Sequence, residues 1–204
     1  MSLPEGSRAE ELALDDPFLR FQQLFDQARA HESGDPTAAA LATADSACRP
    51  SVRIVLVKSV DPQGFRFYTN LRSRKARELE ENPRAALCFF WHSIAQQVRA
   101  EGAVTAIGDE EADAYFASRP RESQIGAWAS RQSAPLPERA VLEERLAQVT
   151  ERFGDGAVPR PPFWGGYRLV PERIEFWSGR DFRLHDRLLF ALRDGRWARE
   201  RLYP

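Results

Sequence analysis

The sequence predicts an α+β domain built mainly from antiparallel strands, with helices packed on the sheet. Apolar segments of strand length come in runs, separated by short turn signals such as CRP (48–50) and DPQG (61–64). Amphipathic helical segments interrupt these runs irregularly instead of following every strand, which argues against a doubly wound parallel fold. The composition is globular, since 43% of the 204 residues are apolar and 29% are charged.

The first half of the chain begins with a helix and continues with strands. Asp16 can cap the helix, Pro17 suits its first turn and Gly34 ends it. The next elements follow in chain order: strands at 37–45, 51–60 and 65–70, a short helix at 73–83, strands at 84–92 and 96–108, and a helix at 109–120.

The second half contains one ambiguous segment, 121–133, which fits neither periodicity. An amphipathic helix at 137–154 ends at Gly154, and a proline-rich loop follows. The C-terminal strands are predicted to form an antiparallel meander at 166–171, 173–178, 182–193 and 196–204. We expect residues 1–16 to be a flexible segment and residues 17–204 to form a single domain.

Charge and residue usage exclude several function classes. A net charge of −1 gives no support for bulk binding to nucleic acid or a membrane. Two cysteines, Cys48 and Cys88, form no disulfide framework, and the N-terminus has no apolar signal core, so we expect a cytoplasmic protein. His31, His92 and His185 are scattered, and we expect no metal site.

Two basic segments follow one another in the first half. In YTNLRSRKARELE a strand leads into a helix that starts near Ser73, so Arg74 and Lys75 lie at the positive end of the helix dipole. A phosphate would stabilise that arrangement, and a solvated surface pair is the alternative. Arg53 and Lys58 are five residues apart, so a regular strand directs them to opposite faces; solvated strand ends are the alternative.

A third basic cluster lies in FASRPRESQIGAWASRQS. Arg119, Arg121 and Ser123 surround a proline, and Tyr115 precedes Arg119 by one helical turn. These residues could form a second phosphate clamp. A polar loop with a helix cap at Ser123 is the alternative.

The stretch FRLHDRLLF (182–190) carries the fourth basic group. Arg183, His185 and Arg187 alternate, which in a strand places all three on one face. Trp177, just upstream, either stacks on a flat ligand or fills the core. From the residues alone, the clusters indicate one or two flat, phosphorylated ligands but no reaction.

Six segments together resemble the pyridoxine/pyridoxamine 5'-phosphate oxidase family. They are RIVLVK (53–58), FYTNLRSRKARELEENPRAALCFFWH (67–92), SRPRESQIGAWASRQS (118–133), FWGGYRL (163–169), IEFWSG (174–179) and RLHDR (183–187). They occur in the family's order between residues 53 and 187, and the resemblance covers about residues 35–204. The resemblance implies an FMN-binding split β-barrel that forms a homodimer, with the flavin held at the subunit interface.

The resemblance also implies roles for individual residues. The flavin mononucleotide would contact Arg53, Ile54, Val55, Leu56, Val57, Lys58, Tyr68, Thr69, Ser73, Arg74, Lys75, Gln97, Gln132, Ser133, Trp177 and Arg187, some of them from the other subunit. The phosphorylated substrate would contact Asp35, Lys58, Tyr115, Arg119, Ser123, Arg183 and His185. Of these, Arg183 and His185 would lie against the substrate ring as the catalytic pair.

The implied reaction is oxidation of pyridoxamine or pyridoxine 5'-phosphate to pyridoxal 5'-phosphate. The 4' carbon loses a hydride to the flavin, and O2 reoxidises the flavin to give H2O2. His185 is either a base or a hydrogen-bond donor packed on the ring. The alternatives are an oxidase of another aromatic amine or of a reduced phenazine, and a flavin-binding barrel without turnover. Lys58, Arg119 and Ser123, the expected phosphate ligands, favour the vitamin substrate.

The N-terminus departs from the family pattern. A basic segment with a tyrosine is expected there to help close the site. This chain instead begins MSLPEGSRAEELALDD, which is acidic and has only Arg8 as a cation. Closure of the site is therefore expected to differ.

Overall fold

The computed structural model describes residues 15–204, so Arg8 and most of the predicted flexible segment lie outside the described residues. The strands are β1 (Ala38–Ala44), β2 (Pro50–Asp61), β3 (Gly64–Asn70), β4 (Arg84–Trp91), β5 (Gln96–Ala106), β6 (Trp164–Ser178), β7 (Asp186–Arg193) and β8 (Arg196–Leu202). The helices are α1 (Pro17–His31), α2 (Arg74–Glu81), α3 (Asp109–Ala117), α4 (Arg121–Ala129) and α5 (Arg139–Phe153). No helix within residues 15–204 is long and apolar enough to cross a membrane.

The strands form one antiparallel sheet in the order β3-β2-β1-β4-β5-β6-β7-β8. An additional pairing of β3 with β6 closes the first six strands into a barrel, and β7 and β8 extend the sheet beyond it. Closure pairs the otherwise free edge of β3, and β8 remains the edge strand of the extension. The predicted class, an antiparallel α+β split barrel, is confirmed.

Helix α1 begins as the sequence predicts and packs on the barrel. The Asp16 carboxylate accepts hydrogen bonds from the amides of Phe18 (2.8 Å) and Leu19 (3.3 Å), which caps the helix. Phe21, on the buried face of the helix, makes edge contacts with Phe65 of β3 and Phe89 of β4, both at 5.2 Å between ring centroids. These aromatic contacts anchor the helix to the barrel core.

A smaller apolar cluster positions the two helices that follow β5. Phe116 of α3, Ile125 of α4 and Trp164 of β6 are buried together with Val158 of the proline-rich loop. Segment 121–133, which the sequence left ambiguous, contains the helix α4. The burial of this segment against Trp164, rather than a clear helical sequence pattern, explains why the segment is helical.

Two predictions about the C-terminal strands are wrong. The segments 166–171 and 173–178 belong to one strand, β6, which continues through Pro171 because a register shift against β5 at Glu101/Gly102 accommodates the irregularity. The strand predicted at 182–193 begins only at Asp186, the first residue of β7 that pairs with β6. Residues 181–183 instead form a short 3-10 turn.

Candidate active site

One pocket of about 670 Å3 gathers many of the residues implicated by the sequence. It lies where β2, β3 and the start of β6 meet the helices α2, α3 and α4, and its volume is typical of a small-molecule site. The predicted residues that line it are Ile54, Val55, Leu56, Lys58, Tyr68, Thr69, Lys75, Tyr115, Arg119, Ser123 and Gln132.

Lys75 forms a cationic part of the pocket wall. It lies in the first turn of α2, where the helix dipole is positive, and its residue surface is only 7% exposed. Its Nζ donates to Thr69 Oγ1 (3.1 Å), Ser73 Oγ (3.3 Å) and Gln132 Oε1 (3.2 Å), which are all neutral. Burial lowers the pKa of Lys75 to about 8, and the nearby Arg53 cation adds to the effect.

Glu78 neutralises the neighbouring arginines rather than Lys75. Its carboxylate accepts hydrogen bonds from Arg74 Nε (2.8 Å) and Arg53 Nη2 (3.2 Å), and also from Thr43 and Ser51. Burial alone would raise the pKa of Glu78, but these hydrogen bonds and the arginine charges lower it to about 2. Arg53 does not line the pocket, and its pairing with Glu78 ties β2 to α2 beside it.

Three aromatic rings stack along one side of the pocket. Tyr68 lies nearly parallel to Tyr115 at 3.9 Å between centroids and to Trp164 at 5.6 Å. Gly166 makes room for this stack, since a Cβ there would lie 2.7 Å from the Tyr68 ring. Burial raises the pKa of Tyr68 to about 12, together with the charge of Glu111, so the hydroxyl stays protonated and can donate.

Arg119 lies against this stack without a carboxylate partner among residues 15–204. Its guanidinium carbon is 4.9 Å from the Trp164 ring centroid and 5.4 Å from that of Phe116. Burial lowers the pKa of Arg119, and its Nη1 is buried without a hydrogen-bond partner in the described part of the chain. An orphaned buried donor of this kind is costly unless an acceptor binds to it.

Lys58 reaches the pocket from an irregular point in β2. The pairing of β2 with β3 shifts register between Val57 and Ser59, which isolates Lys58 in a bulge. Lys58 lines the pocket, whereas Val57 is buried in the core and is not among the residues that line it. Asp35 lies near Lys58; hydrogen bonds from Thr37 lower the pKa of Asp35, and the Lys58 charge contributes.

Ser133 and Arg74 lie just outside the residues that line the pocket. The Arg74 backbone amide donates to Ser133 Oγ at 3.1 Å, which ties the loop after α4 to the first residue of α2. Ser73, the residue before the helix, is fully buried and receives its hydrogen bond from Lys75. These residues shape the pocket around the start of α2 without facing it directly.

A second group of predicted residues lies on neighbouring strands away from this pocket. Gln97 of β5 pairs with Trp177 of β6, which pairs with Arg187 of β7. Arg187 donates to the buried Glu175 through Nε (2.8 Å) and Nη2 (3.1 Å) and to the Tyr203 carbonyl through Nη1 (2.9 Å). We call Gln97, Trp177, His185 and Arg187 the outer cluster.

The alternation predicted for Arg183, His185 and Arg187 is wrong. Only Arg187 belongs to β7, whereas Phe182 and Arg183 adopt left-handed conformations with φ of 57° and 62° in the preceding turn. Their side chains therefore do not share a strand face. The turn keeps Phe182 92% exposed, and His185 packs beside Trp177 at 4.6 Å between ring centroids.

The pocket and the outer cluster are separate groups within a single chain. Trp164 lines the pocket, whereas Trp177 lies thirteen residues further along β6, and no residue of the outer cluster lines the pocket.

Sequence reasoning missed several residues that shape the pocket. Trp164 lies within the segment FWGGYRL but received no role, because its place beside Asn70 depends on the pairing of β3 with β6. Asn70, Ser130 and Trp164 all line the pocket. Glu78 was missed because a glutamate in a charged helix resembles a solvated residue, and its burial is visible only in three dimensions.

Comparisons with known proteins agree with this geometry. A family model described as pyridoxamine 5'-phosphate oxidase matches residues 25–153, which include every predicted pocket residue. The chain belongs to this family. A second model, described as the pyridoxine 5'-phosphate oxidase C-terminal dimerisation region, matches residues 164–204, which include β6 to β8 and most of the outer cluster.

Curated members of the pyridoxamine 5'-phosphate oxidase family are similar over nearly the whole chain. A pyridoxine/pyridoxamine 5'-phosphate oxidase from Anaeromyxobacter dehalogenans is 57% identical, and the match covers 94% of this chain and 97% of the relative. One from Rubrobacter xylanophilus is 55% identical over 99% of this chain and 100% of the relative.

Two solved structures have the same architecture. PhzG from Burkholderia lata 383, crystallised with tetrahydrophenazine-1-carboxylic acid, has a TM-score of 0.88 at 32% identity and covers 93% of both chains. A pyridoxamine 5'-phosphate oxidase-related, FMN-binding protein from Nostoc punctiforme has a TM-score of 0.73 at 18% identity, covering 91% of this chain and 95% of that one. The second likeness concerns the fold alone.

Proposed function

We propose that this protein is an FMN-dependent oxidase of pyridoxamine 5'-phosphate and pyridoxine 5'-phosphate. It would form pyridoxal 5'-phosphate and reduce O2 to H2O2. The observation that carries the proposal is the pair Lys75 and Arg119, two cations that face one pocket without a carboxylate partner among residues 15–204. Two such cations suit two phosphorylated ligands in the same pocket.

The donor set at α2 fits the phosphate of the flavin mononucleotide. The start of the helix offers its dipole, and Lys75 offers a buried ammonium whose partners are all neutral. Arg74 approaches from the same end, with its Nε held by Glu78 so that the rest of the guanidinium is available. A phosphate would neutralise the Lys75 ammonium, which otherwise has no direct anionic partner among residues 15–204.

Arg119 suits the phosphate of the substrate. Its unpartnered Nη1 needs an acceptor, and Tyr115, Ser123 and Lys58 line the same pocket with further donors. The aromatic ring of Trp164 beneath Arg119 fixes the direction of the guanidinium. These residues would hold the phosphate and thereby place the 4' carbon for reaction.

A homodimer would complete the site. The match to a C-terminal dimerisation region supports this arrangement. So do the exposed apolar residues Val52 and Ile54 on β2, which are 67% and 66% exposed. A second copy could bring its outer cluster and its turn with Arg183 against the pocket, which these residues do not line within their own chain. Trp177 and Arg187 would then contact the flavin, and Arg183 and His185 the substrate.

The roles of the chain's own residues follow from these positions. The bound flavin supplies the acceptor for the hydride that leaves the 4' carbon of the substrate. Lys75 would balance the charge of the flavin phosphate, and Arg187 would place positive charge beside the flavin, where negative charge develops. Phosphate binding by Arg119 and stacking by Tyr68 restrict the motion of the substrate and exclude water.

The test is aerobic oxidation by the purified, FMN-loaded protein. Pyridoxal 5'-phosphate and H2O2 should form in equal amounts from either vitamer, with ammonia released from the amine. Arg119→Gln should raise KM, whereas Arg139→Gln, at a surface pair with Glu143, should not. No product from either vitamer would reject the proposal.

A second candidate is oxidation of a reduced phenazine. PhzG, whose structure contains tetrahydrophenazine-1-carboxylic acid, shares 32% identity with this chain. The relatives named for the vitamin phosphates are 55% to 57% identical. Assaying tetrahydrophenazine-1-carboxylic acid beside both vitamers would separate the two functions, and turnover of the phenazine alone would favour the second.

A further inference from the structure

One hydrogen bond in the turn before β7 determines the protonation of His185. The backbone amide of Arg180 donates to His185 Nδ1 at 3.1 Å. A backbone N–H can only donate, so Nδ1 must present its lone pair. The neutral ring therefore carries its hydrogen on Nε2.

The turn that makes this bond is braced from several sides. The Arg180 guanidinium pairs with Asp186 at 2.7 Å, so both ends of the turn are clamped. The Gly179 amide donates to the Ala95 carbonyl at 2.8 Å, which ties the turn to the segment before β5. The Trp177 ring lies 4.6 Å from the imidazole, tilted by 45°. The Arg180 amide selects the tautomer, and the other contacts hold the turn and the Trp177 ring beside the imidazole.

We propose that His185 serves the oxidation as a fixed Nε2–H hydrogen-bond donor to the substrate ring, with the Arg180 amide as its positioning group. It is therefore not the base of the reaction. The geometry of the turn determines which ring nitrogen carries the hydrogen. That Nε2 faces the substrate rests on the proposed function.

The chemistry balances without a base on His185. When the neutral amine of the substrate loses a hydride from its 4' carbon, the nitrogen lone pair forms the new C=N bond. The product is the protonated imine, which water hydrolyses to the aldehyde and ammonium. The alcohol loses its hydroxyl proton to water as the hydride leaves, so the product is the neutral aldehyde. In both cases the hydride goes to the flavin, and no proton needs to reach Nδ1 or Nε2.

His31 differs from His185 in the hydrogen bond that its Nδ1 makes. There Nδ1 lies 2.8 Å from the Gln27 carbonyl oxygen, which can only accept. His31 must therefore carry a hydrogen on Nδ1 for this bond to form. Nδ1 therefore carries a hydrogen in His31 and none in His185.

The first test is nitrogen NMR on protein with 15N-labelled histidine, at about pH 8.5, well above the usual imidazole pKa of ~6.5. His185 should show a proton on Nε2 and none on Nδ1, and His31 should show the reverse. The His185→Gln spectrum assigns the signals. The cofactor-free chain should give the same result as the holoenzyme. A protonated Nδ1 in His185, or a mixture of both tautomers, would overturn the inference.

The second test separates a donor from a base by kinetics. His185→Gln keeps an amide donor, so kcat on pyridoxamine 5'-phosphate should stay within about tenfold of the wild-type value, while His185→Leu should lose more. Removing a general base typically costs 10²–10⁴-fold, roughly equally in both variants. Equal losses of that size would reject the donor role. A wild-type protein that oxidises neither vitamer would reject the proposed function instead, and the NMR result decides the tautomer in either case.

Discussion

Lys75 and Glu78 are both buried and lie one helical turn apart on α2, yet they do not form an ion pair. The carboxylate instead binds Arg53 and Arg74, and the Lys75 ammonium faces three neutral oxygens. This division leaves the lysine charge without a direct partner at the wall of the pocket. An anion that binds there supplies the missing counter-charge.

Binding of FMN should therefore weaken as the pH rises through the pKa of Lys75. This pKa is lowered from 10.5 to about 8 in the folded chain, so the free site loses its charge above pH 8, whereas a bound phosphate keeps the lysine charged. The Kd should rise roughly 20-fold between about pH 7.5 and about pH 9.5. Quenching of flavin fluorescence on adding the cofactor-free protein measures this change.

The matched control for this titration is Lys75→Arg. Arginine stays protonated throughout the range, so the Kd of this variant should change little with pH. A Kd of the wild-type protein that is constant across the same interval would contradict the prediction.

Glu78→Gln should destabilise the protein by about 3 kcal/mol at neutral pH, because it leaves two arginines beside an uncharged buried group. Folding lowers the pKa of Glu78 from 4.5 to about 2. Its stabilising contribution is therefore fully present above about pH 4.5 and is lost as the pH falls through about 2. Urea unfolding at neutral and acidic pH should show the difference between variant and wild type shrinking in acid.

Glu172→Gln provides the comparison for Glu78. Glu172 pairs with Arg84 at 2.6 Å, but both side chains are about half exposed. Such surface pairs contribute about 0–1 kcal/mol. A Glu78→Gln variant that is no less stable than Glu172→Gln would show that the buried carboxylate is not needed.

The sequence predicted most of the barrel because alternation and turn signals are local. It did not predict the continuity of β6, since Pro171 reads as a break. The bulge that carries the strand past it depends on Gly102 of β5, where a Cβ would lie 2.0 Å from the Val170 carbonyl oxygen. The need for glycine at position 102 therefore depends on a contact between residues far apart in the sequence.

In the candidate site, too, the sequence predicted the features that depend on neighbouring residues. Basic residues at the start of a helix identified Lys75 and Arg74, because the dipole argument needs only neighbouring residues. The bond from Lys75 to Gln132 joins positions 57 apart and has no local signal. The alternation of Arg183 and His185 wrongly predicted a strand. The pairing of β6 with β7 begins only at Ser178 and Asp186, and Asp186 follows both residues in the chain.

Arg183→Ala and Arg187→Ala should have opposite effects. Arg187 is held by Glu175 and the Tyr203 carbonyl beside Trp177, so its loss should mainly reduce FMN retention. Arg183 lies in the exposed turn, so its loss should mainly reduce turnover or affinity for pyridoxamine 5'-phosphate. Flavin content after gel filtration and steady-state kinetics measure the two effects. Equal loss of FMN in both variants would refute the division.

Hybrid dimers should show that each site takes residues from two chains. Arg119 lines the pocket, and Arg183 lies in the turn after β6, which contributes no residue to the pocket lining. If Arg119→Ala and Arg183→Ala each abolish most activity, a hybrid of the two contains one site with both residues intact and one with neither. Because a two-fold dimer has two equivalent sites, the purified hybrid should recover about half of the wild-type activity per dimer.

Two affinity tags, one on each variant, allow the hybrid to be isolated after co-expression. The same tags on two wild-type chains control for any effect of tagging. If Arg119 and Arg183 served the same site from one chain, every site in the hybrid would carry one defect. The activity would then stay at the level of the single variants, which excludes a site shared between subunits.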